Sequence, residues 1–205
     1  MSNLITLTID GTSVQVERGT TILEAAQAAD IKIPTLCYLK DTNDIGMCRM
    51  CVVEVEGMDN LVASCNTPAA EGMVVITNSQ RVKDTRVINF KLLIAEHDFD
   101  GTNDCLSCVS NNNCELQALR WELEVYDNPF KRNVPRKPVR ESNPFWLFNP
   151  NLCIKCQRCV GACNNKAHNH TLQTGKRGLR TTIQAPFGDG WNFTACESCG
   201  MCAQA

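Results

Sequence analysis

No run in the 205-residue sequence approaches 18 uncharged apolar residues, so no transmembrane helix is expected. The opening stretch, MSNLITLTIDGTSVQV, lacks a basic start, an apolar signal core and a twin arginine. Secretion is therefore not expected, and the chain reads as cytoplasmic. GxGxxG and Walker patterns are both absent, and no residues suggest a nucleophile, general base or nucleotide cradle, so catalysis is not expected within this stretch. Neither sign of charge dominates: 20 basic and 22 acidic residues give a net charge of −2, a poor basis for binding nucleic acid. With 43% apolar and 20% charged residues, the composition also excludes disorder. Histidine is scarce, with 3 residues, but cysteine is abundant, with 14. A cytoplasmic chain does not keep seven disulfides, so these cysteines point to thiolates that hold metal or carry redox chemistry.

The cysteines fall into four groups. Cys37, Cys48, Cys51 and Cys65 are spaced C-x10-C-x2-C-x13-C. A [2Fe–2S] centre takes four thiolates, three of them on one loop, but the plant-type first gap is x4 rather than x10. A zinc ribbon would use two C-x2-C pairs, and only Cys48–Cys51 forms one here. Cys105, Cys108 and Cys114 are three cysteines in search of a fourth ligand, and His97 is the nearest candidate; a histidine at a helix end can equally serve as a cap. Cys153, Cys156, Cys159 and Cys163 form the run C-x2-C-x2-C-x3-C, in which the first three cysteines wrap one [4Fe–4S] cubane and the fourth, expected at the start of a helix, reaches a second. Cys196, Cys199 and Cys202 repeat that run up to Ala205. Two cubanes are therefore expected, one on Cys163, Cys196, Cys199 and Cys202, and one on Cys153, Cys156 and Cys159, whose fourth ligand would be residue 206. His168 and His170 form an H-x-H that reads mainly as solvated loop.

Between the cysteines, residues 3–9 alternate apolar and polar and end at Asp10-Gly11, a hairpin signal, with residues 13–16 as the returning strand. Thr21-Ile-Leu-Glu24 reads as a capping box opening a short helix. Further strands are expected at 50–56, 61–65 and 73–76. Two strands, a helix and then more strands is the β-grasp order. Ser79 is expected to cap a helix over 80–96 that ends at His97, and Cys114 to open another. Residues 127–150 carry Pro129, Pro135, Pro138, Pro144 and Pro150 and the basic run KRNVPRKPVR. They read as a strap that is either solvated or offsets the charge of nearby thiolates. Phe145, Trp146 and Phe148 are expected as core beneath the strap, and Leu179–Ile183 as a strand ahead of the turn PFGDG. The predicted architecture is α+β: a β-grasp [2Fe–2S] domain (1–78), a small helical His/Cys3 domain (79–126), the proline-rich linker (127–150) and a two-[4Fe–4S] ferredoxin-like domain (151–205).

The stretches IPTLCYL, GMCRMCVVEVEG, SCNTPAAEGMVV, DCLSC, NNNCELQ, CIKCQRCVGAC and CESCGMCAQA, in that order, resemble the N-terminal iron–sulfur region of formate dehydrogenase catalytic subunits. Multi-cluster iron-only hydrogenases carry the same region, and the large iron–sulfur subunit of NADH dehydrogenase is similar at greater distance. Asn143-Pro144-Phe145, ahead of the first cubane run, looks most like the formate dehydrogenases. The resemblance covers essentially the whole chain. It implies one [2Fe–2S] and three [4Fe–4S] clusters passing electrons between a ferredoxin or a flavin/NAD(P)-binding diaphorase-type subunit and a catalytic centre elsewhere in a hetero-oligomeric complex. In this family the first gap of the [2Fe–2S] motif is variable and the last is x13, as here. The family's His-x3-Cys spacing is stretched, however: in HDFDGTNDC, His97 precedes Cys105 by eight positions, which leaves Asp100 and Asp104 as alternative ligands. A looped-out insertion costs little closure entropy, so His97 could still reach. The resemblance also implies a Cys-Pro directly after Ala205, and so a longer chain.

Overall fold

The computed structural model describes residues 3–97, 105–106, 108–130, 137–139, 145, 147–186 and 196–205. Strands β1 (Leu4–Ile9) and β2 (Thr12–Glu17) form the expected hairpin, with Leu7 opposite Val14. Asp10 and Gly11 both take positive φ (47° and 82°), as a two-residue turn matched to the strand twist requires. Alternation along β1 sends Ile5, Leu7 and Ile9 into the core.

Helix α1 (Ile22–Ala28) starts at a complete capping box. The Glu24 amide donates to Thr21 Oγ1 at 3.2 Å, and the Thr21 amide returns a bond to the Glu24 carboxylate at 3.2 Å. That amide is the main reason the Glu24 carboxyl is held below its usual range. The helix buries Ile22, Leu23, Ala25 and Ala26.

Strands β3 (Val52–Val55), β4 (Val62–Ala63) and β5 (Val74–Ile76) complete a five-stranded sheet in the order β2-β1-β5-β3-β4. The last strand inserts between the first and third, parallel to β1 and antiparallel to β3. This is the β-grasp arrangement. The strands are shorter than expected from sequence, because Met50, Cys51 and Cys65 lie in turns rather than in the ladder.

Helix α2 (Gln80–Leu93) begins at Ser79, whose hydroxyl accepts from the Val82 amide at 3.2 Å, and runs on as a 3₁₀ turn (Ile94–Glu96) that ends at His97. Helix α3 (Glu115–Glu122) has Cys114 as its N-cap. These elements have no separate core. Phe90 and Ile94 pack with Leu116, Leu119 and Val125, but also with Leu36, Cys37, Cys48 and Met50 of the N-terminal cysteine loop; Ile154 and Cys156 close the same cluster from the C-terminal unit.

In that C-terminal unit, α4 (Arg158–Gly161) leads into a wide π turn (Ala162–Lys166), and α5 (Met201–Gln204) packs on both. Strands β6 (Gln173–Gly175) and β7 (Thr182–Gln184) form an antiparallel pair. Three sequence expectations are corrected here. Leu179 lies in a 3₁₀ turn (Gly178–Arg180) following Gly178 at φ 56°, so only the end of the predicted 179–183 strand forms. Cys163 sits in the π turn beyond α4 rather than opening a helix. Phe145 is 78% exposed and is not core; Phe148 is half-buried against Cys163, Leu172 and Ile183, and Trp146 lies outside the described residues. Of the basic run, 137–139 is described. The Lys137 amide donates to Asn151 Oδ1 at 2.8 Å and its ammonium to the Thr181 carbonyl at 3.2 Å, so this point of the strap is tied to the C-terminal unit.

The capping box gives a direct test. Thr21→Ala removes the hydroxyl that accepts from the Glu24 amide and is expected to cost about 1 kcal/mol of stability, read as a lower denaturation midpoint by far-UV circular dichroism, whereas Thr21→Ser stays near the parent.

Candidate metal centres

All fourteen cysteines are free thiols. Cys37, Cys48, Cys51 and Cys65 are each at most 6% exposed. The loop carrying the first three is irregular from Ile31 to Cys51, and it turns on left-handed residues: Gly46 (φ 63°) and Arg49 (φ 56°). A Cβ at Gly46 would stand 2.7 Å from the Asn66 side chain, so the turn there requires glycine on two counts. The Cys48 amide points at Cys37 Sγ (3.5 Å). The thiols act in pairs: the Cys37 thiol donating to Cys48 holds the latter down at about 6 and is itself pushed far up, and Cys65 does the same for Cys51, which falls to about 7.

His97, Cys105, Cys108 and Cys114 line one cavity of about 130 Å³, together with Leu116, Gln117 and Leu152. The stretched spacing therefore still brings the histidine to the three thiols. Gln117 braces the loop, accepting from the Asn112 amide at 2.9 Å and donating to Asn111 Oδ1 at 2.9 Å. Asp100 and Asp104 lie outside the described residues.

In the C-terminal unit, the two halves of the cysteine repeat share a backbone device that the spacing alone does not show. Lys155 and Ser198, each two residues after the first cysteine of its half, are left-handed (φ 61° and 55°); so are Gln157 and Gly200, each four residues after it (φ 64° and 79°). Gln157 and Gly200 are the N-caps of α4 and α5, which carry Cys159 and Cys202. This conformation turns amides inward, and the Lys155 amide meets Cys153 Sγ at 3.3 Å. Cys163, Cys196, Cys199 and Cys202 line one small cavity with Leu172, which is the pairing expected from spacing. Cys153, Cys156 and Cys159 lie together: burial pushes Cys159 up to about 12, and the charges of Cys156 and Cys153 add to the effect. Burial likewise raises Cys202, with Cys163, Cys196 and Cys199 contributing. His168 and His170 are exposed.

These thiols fit iron–sulfur clusters on chemical grounds. Cys37, Cys65, Cys153, Cys156, Cys159 and Cys202 are pushed up by neighbouring thiols and burial, so ionising them calls for a bound cation to supply compensating charge. Among the described residues, no three His, Cys, Asp or Glu side chains gather as a single ion would require. A zinc ion needs its ligands about 2.0–2.3 Å from one point. A [4Fe–4S] cluster takes one protein sulfur per iron and a [2Fe–2S] cluster two, so a set of four ligands suits either.

Protein cations surround the sites. Arg86, 7% exposed, donates to the Val52 carbonyl at 2.9 Å and faces Cys51; burial lowers its pKa while the Cys51 charge opposes that. Arg158 is set against burial by a two-point pair with Glu115 (2.9 and 3.0 Å) and by the sulfurs of Cys156 and Cys37. Lys155 pairs with Glu96, and Lys137 is placed near Cys153.

The fold and its thiols define a multi-site iron–sulfur ferredoxin-type protein, and the comparisons carry this further. The family model for a 2Fe-2S iron-sulfur cluster binding domain matches residues 2–80, and that for the NADH-ubiquinone oxidoreductase-G iron-sulfur binding region matches 86–129. The chain is 37% identical over 182 residues to the gamma subunit of the NAD-reducing hydrogenase HoxS of Cupriavidus necator, covering 88% of this chain and 75% of that protein. It is also 37% identical to the HndD subunit of the NADP-reducing hydrogenase of Solidesulfovibrio fructosivorans and to the G 2 subunit of the NADH-quinone oxidoreductase of Rhizobium meliloti, spanning 98% of this chain but 34% and 23% of theirs. A crystal structure of an NAD+-reducing [NiFe]-hydrogenase superposes with a TM-score of 0.80 at 33% identity, covering 89% of this chain and 75% of that one. The chain belongs to the family of iron–sulfur subunits that includes the HoxS gamma chain and the G-type subunits of the NADH-quinone oxidoreductases. It spans about a third or less of the length of the HndD and NADH-quinone oxidoreductase relatives. The preference for formate dehydrogenase finds no support in these relatives; it rested on Asn143-Pro144-Phe145, where Phe145 is exposed and carries little packing constraint. Among the described residues no helix is long and apolar enough to cross a membrane.

The buried cation beside the first site is testable. With iron bound at Cys37, Cys48, Cys51 and Cys65, Arg86→Leu is expected to make that centre's midpoint potential more negative, by roughly 60 mV for each 1.4 kcal/mol of attraction lost. EPR-monitored potentiometry reads this directly; Arg86→Lys, which keeps the charge, should shift less.

Proposed function

We propose that this chain is an electron relay within an NAD(P)-linked hydrogenase or NADH dehydrogenase-type complex. One [2Fe–2S] cluster is held by Cys37, Cys48, Cys51 and Cys65. Three [4Fe–4S] clusters are held by His97 with Cys105, Cys108 and Cys114; by Cys163 with Cys196, Cys199 and Cys202; and by Cys153, Cys156 and Cys159. The observation that carries this reading is the gathering of the cysteines into local groups: Cys37, Cys48, Cys51 and Cys65 are buried, His97 and three thiols line a common cavity, and Cys163, Cys196, Cys199 and Cys202 line another. The relatives' names supply the setting: a flavin/NAD(P)-binding diaphorase-type subunit or a ferredoxin on one side, and a hydrogen- or nicotinamide-linked catalytic centre on the other. This chain's own part is to hold the clusters at fixed separations, keep water from them and tune them through amide–sulfur bonds and nearby cations. No substrate-converting group is needed in it.

Anaerobic purification with iron and acid-labile sulfide analysis tests the reading. It expects about 14 iron atoms per chain, from one two-iron and three four-iron centres, and EPR signals on reduction. Zinc in place of iron would overturn it. His97→Ala is expected to change the EPR signal of the Cys105/Cys108/Cys114 cluster alone; an unchanged spectrum reassigns that ligand.

A further inference from the structure

The gap between Cys37 and Cys48 is x10, where the plant-type motif has x4. The additional residues form a compact turn. Leu39 and Asn43 exchange backbone bonds of 2.9 and 2.8 Å around Asp41, which is left-handed at φ 56°, and Thr42 and Asn43 are buried at 7% and 5% exposure. What buries them is the C-terminal unit. Asn43 Nδ2 donates to the Cys37 carbonyl at 2.7 Å and to the Cys156 carbonyl at 3.1 Å. Asn165 Nδ2 donates to the Thr42 carbonyl at 2.8 Å. A Cβ on Gly161 would stand 2.5 Å from that same carbonyl, so the approach is open only to glycine. At the outer end of the seam, Gln157 Nε2 reaches Met47 Sδ at 3.1 Å.

Cys37 belongs to the first site and Cys156 to the third. An asparagine amide has two N–H donors, and both are used here, one on each ligand's backbone. Both neighbours are carbonyl oxygens, so only the NH₂ end of the side chain satisfies them, and the orientation follows. Two short hydrogen bonds through one buried side chain thus join the cysteine loops of two separate centres.

We propose that Asn43 is a positioning residue for electron passage between these two centres: it clamps the Cys37 and Cys156 loops at a fixed separation and supplies the hydrogen-bonded bridge between them. One electron lost at one centre is gained at the other; no covalent bond breaks and no proton moves. The lengthened x10 gap is then the element that seats the C-terminal unit on the β-grasp unit. The inference rests on the cluster assignment proposed above, but a role in transfer is separable from it.

The test uses the cluster-loaded chain with Asn43→Ala, Asn43→Asp and Asn165→Ala. Asn43→Ala removes both bonds. Asn43→Asp keeps the volume but presents carboxylate oxygen to two carbonyls. In both, electron transfer between the two centres, followed by freeze-quench EPR, should slow severalfold, because the loops are no longer clamped and tunnelling falls off with distance. Spin–spin broadening between the two reduced centres should weaken as well. In Asn43→Ala each centre's own g-values, midpoint potential and reduction by a small dye should hold, whereas the carboxylate of Asn43→Asp also adds charge beside both centres and makes their potentials more negative. Asn165→Ala leaves the Asn43 bonds in place and should transfer near the parent rate. Unchanged transfer and broadening in the Asn43 variants overturns the proposal, and so does equal slowing in Asn165→Ala, which would mark general loosening of the seam. Should Asn43→Ala fail to hold iron, Asn43→Ser, which keeps one donor, decides by the same readouts. Iron missing from the unaltered chain would instead defeat the relay reading.

Discussion

Holding negatively charged sulfur inside protein is the constraint around which this molecule is built. A thiolate out of water needs donors or cations close by, and several crowded together need them most. The chain meets this need first with its own backbone. Left-handed residues at Arg49, Lys155, Gln157, Ser198 and Gly200 curl the cysteine loops, and the amides of Lys155 and Cys48 meet the sulfurs of Cys153 and Cys37. Most of these are not glycine, so the strain of a positive φ is accepted wherever a cysteine loop must curl round its site. The side chains meet it second: Arg86 beside Cys51, Arg158 near Cys156, and Lys137 near Cys153.

The same constraint explains why the packing does not respect the divisions drawn along the sequence. Cysteine loops are short of apolar residues and of regular structure, so no one of them makes a core. The second core therefore collects Leu36 and Met50 from the first loop, Phe90 from α2, Leu116 and Leu119 from α3, and Ile154 from the third loop. Cys37, Cys48 and Cys156 are themselves part of it. Relays need their centres close, and interlocked loops bring them close where separately folded domains on linkers would hold them apart. The Asn43 seam and the bare Cα of Gly161 are where that contact is tightest.

Much of the local structure was legible from residue order, because it rests on short-range rules. The Asp10-Gly11 hairpin, the Thr21/Glu24 box, the Ser79 cap and the β-grasp order all depend on neighbours a few positions apart. Cys163, Cys196, Cys199 and Cys202, expected from spacing to share a cluster, line one cavity. Phe145 was misread because apolar character alone does not say what covers a side chain. Leu179 was misread because Gly178 sets the local dihedral against a strand.

By itself, then, the sequence determined the order in which the cysteines fall along the chain and the type of element between them. The elements follow from spacing, caps and turn chemistry, which act within a few residues. Only the tertiary structure decided how the groups stand to one another: that His97 lines one cavity with Cys105, Cys108 and Cys114, that Arg86 comes within electrostatic reach of Cys51, and that the long first gap folds onto Cys156. Those contacts join residues from 8 to 113 positions apart. They depend on how buried surfaces fit in space, and no period or spacing along the chain encodes that fit.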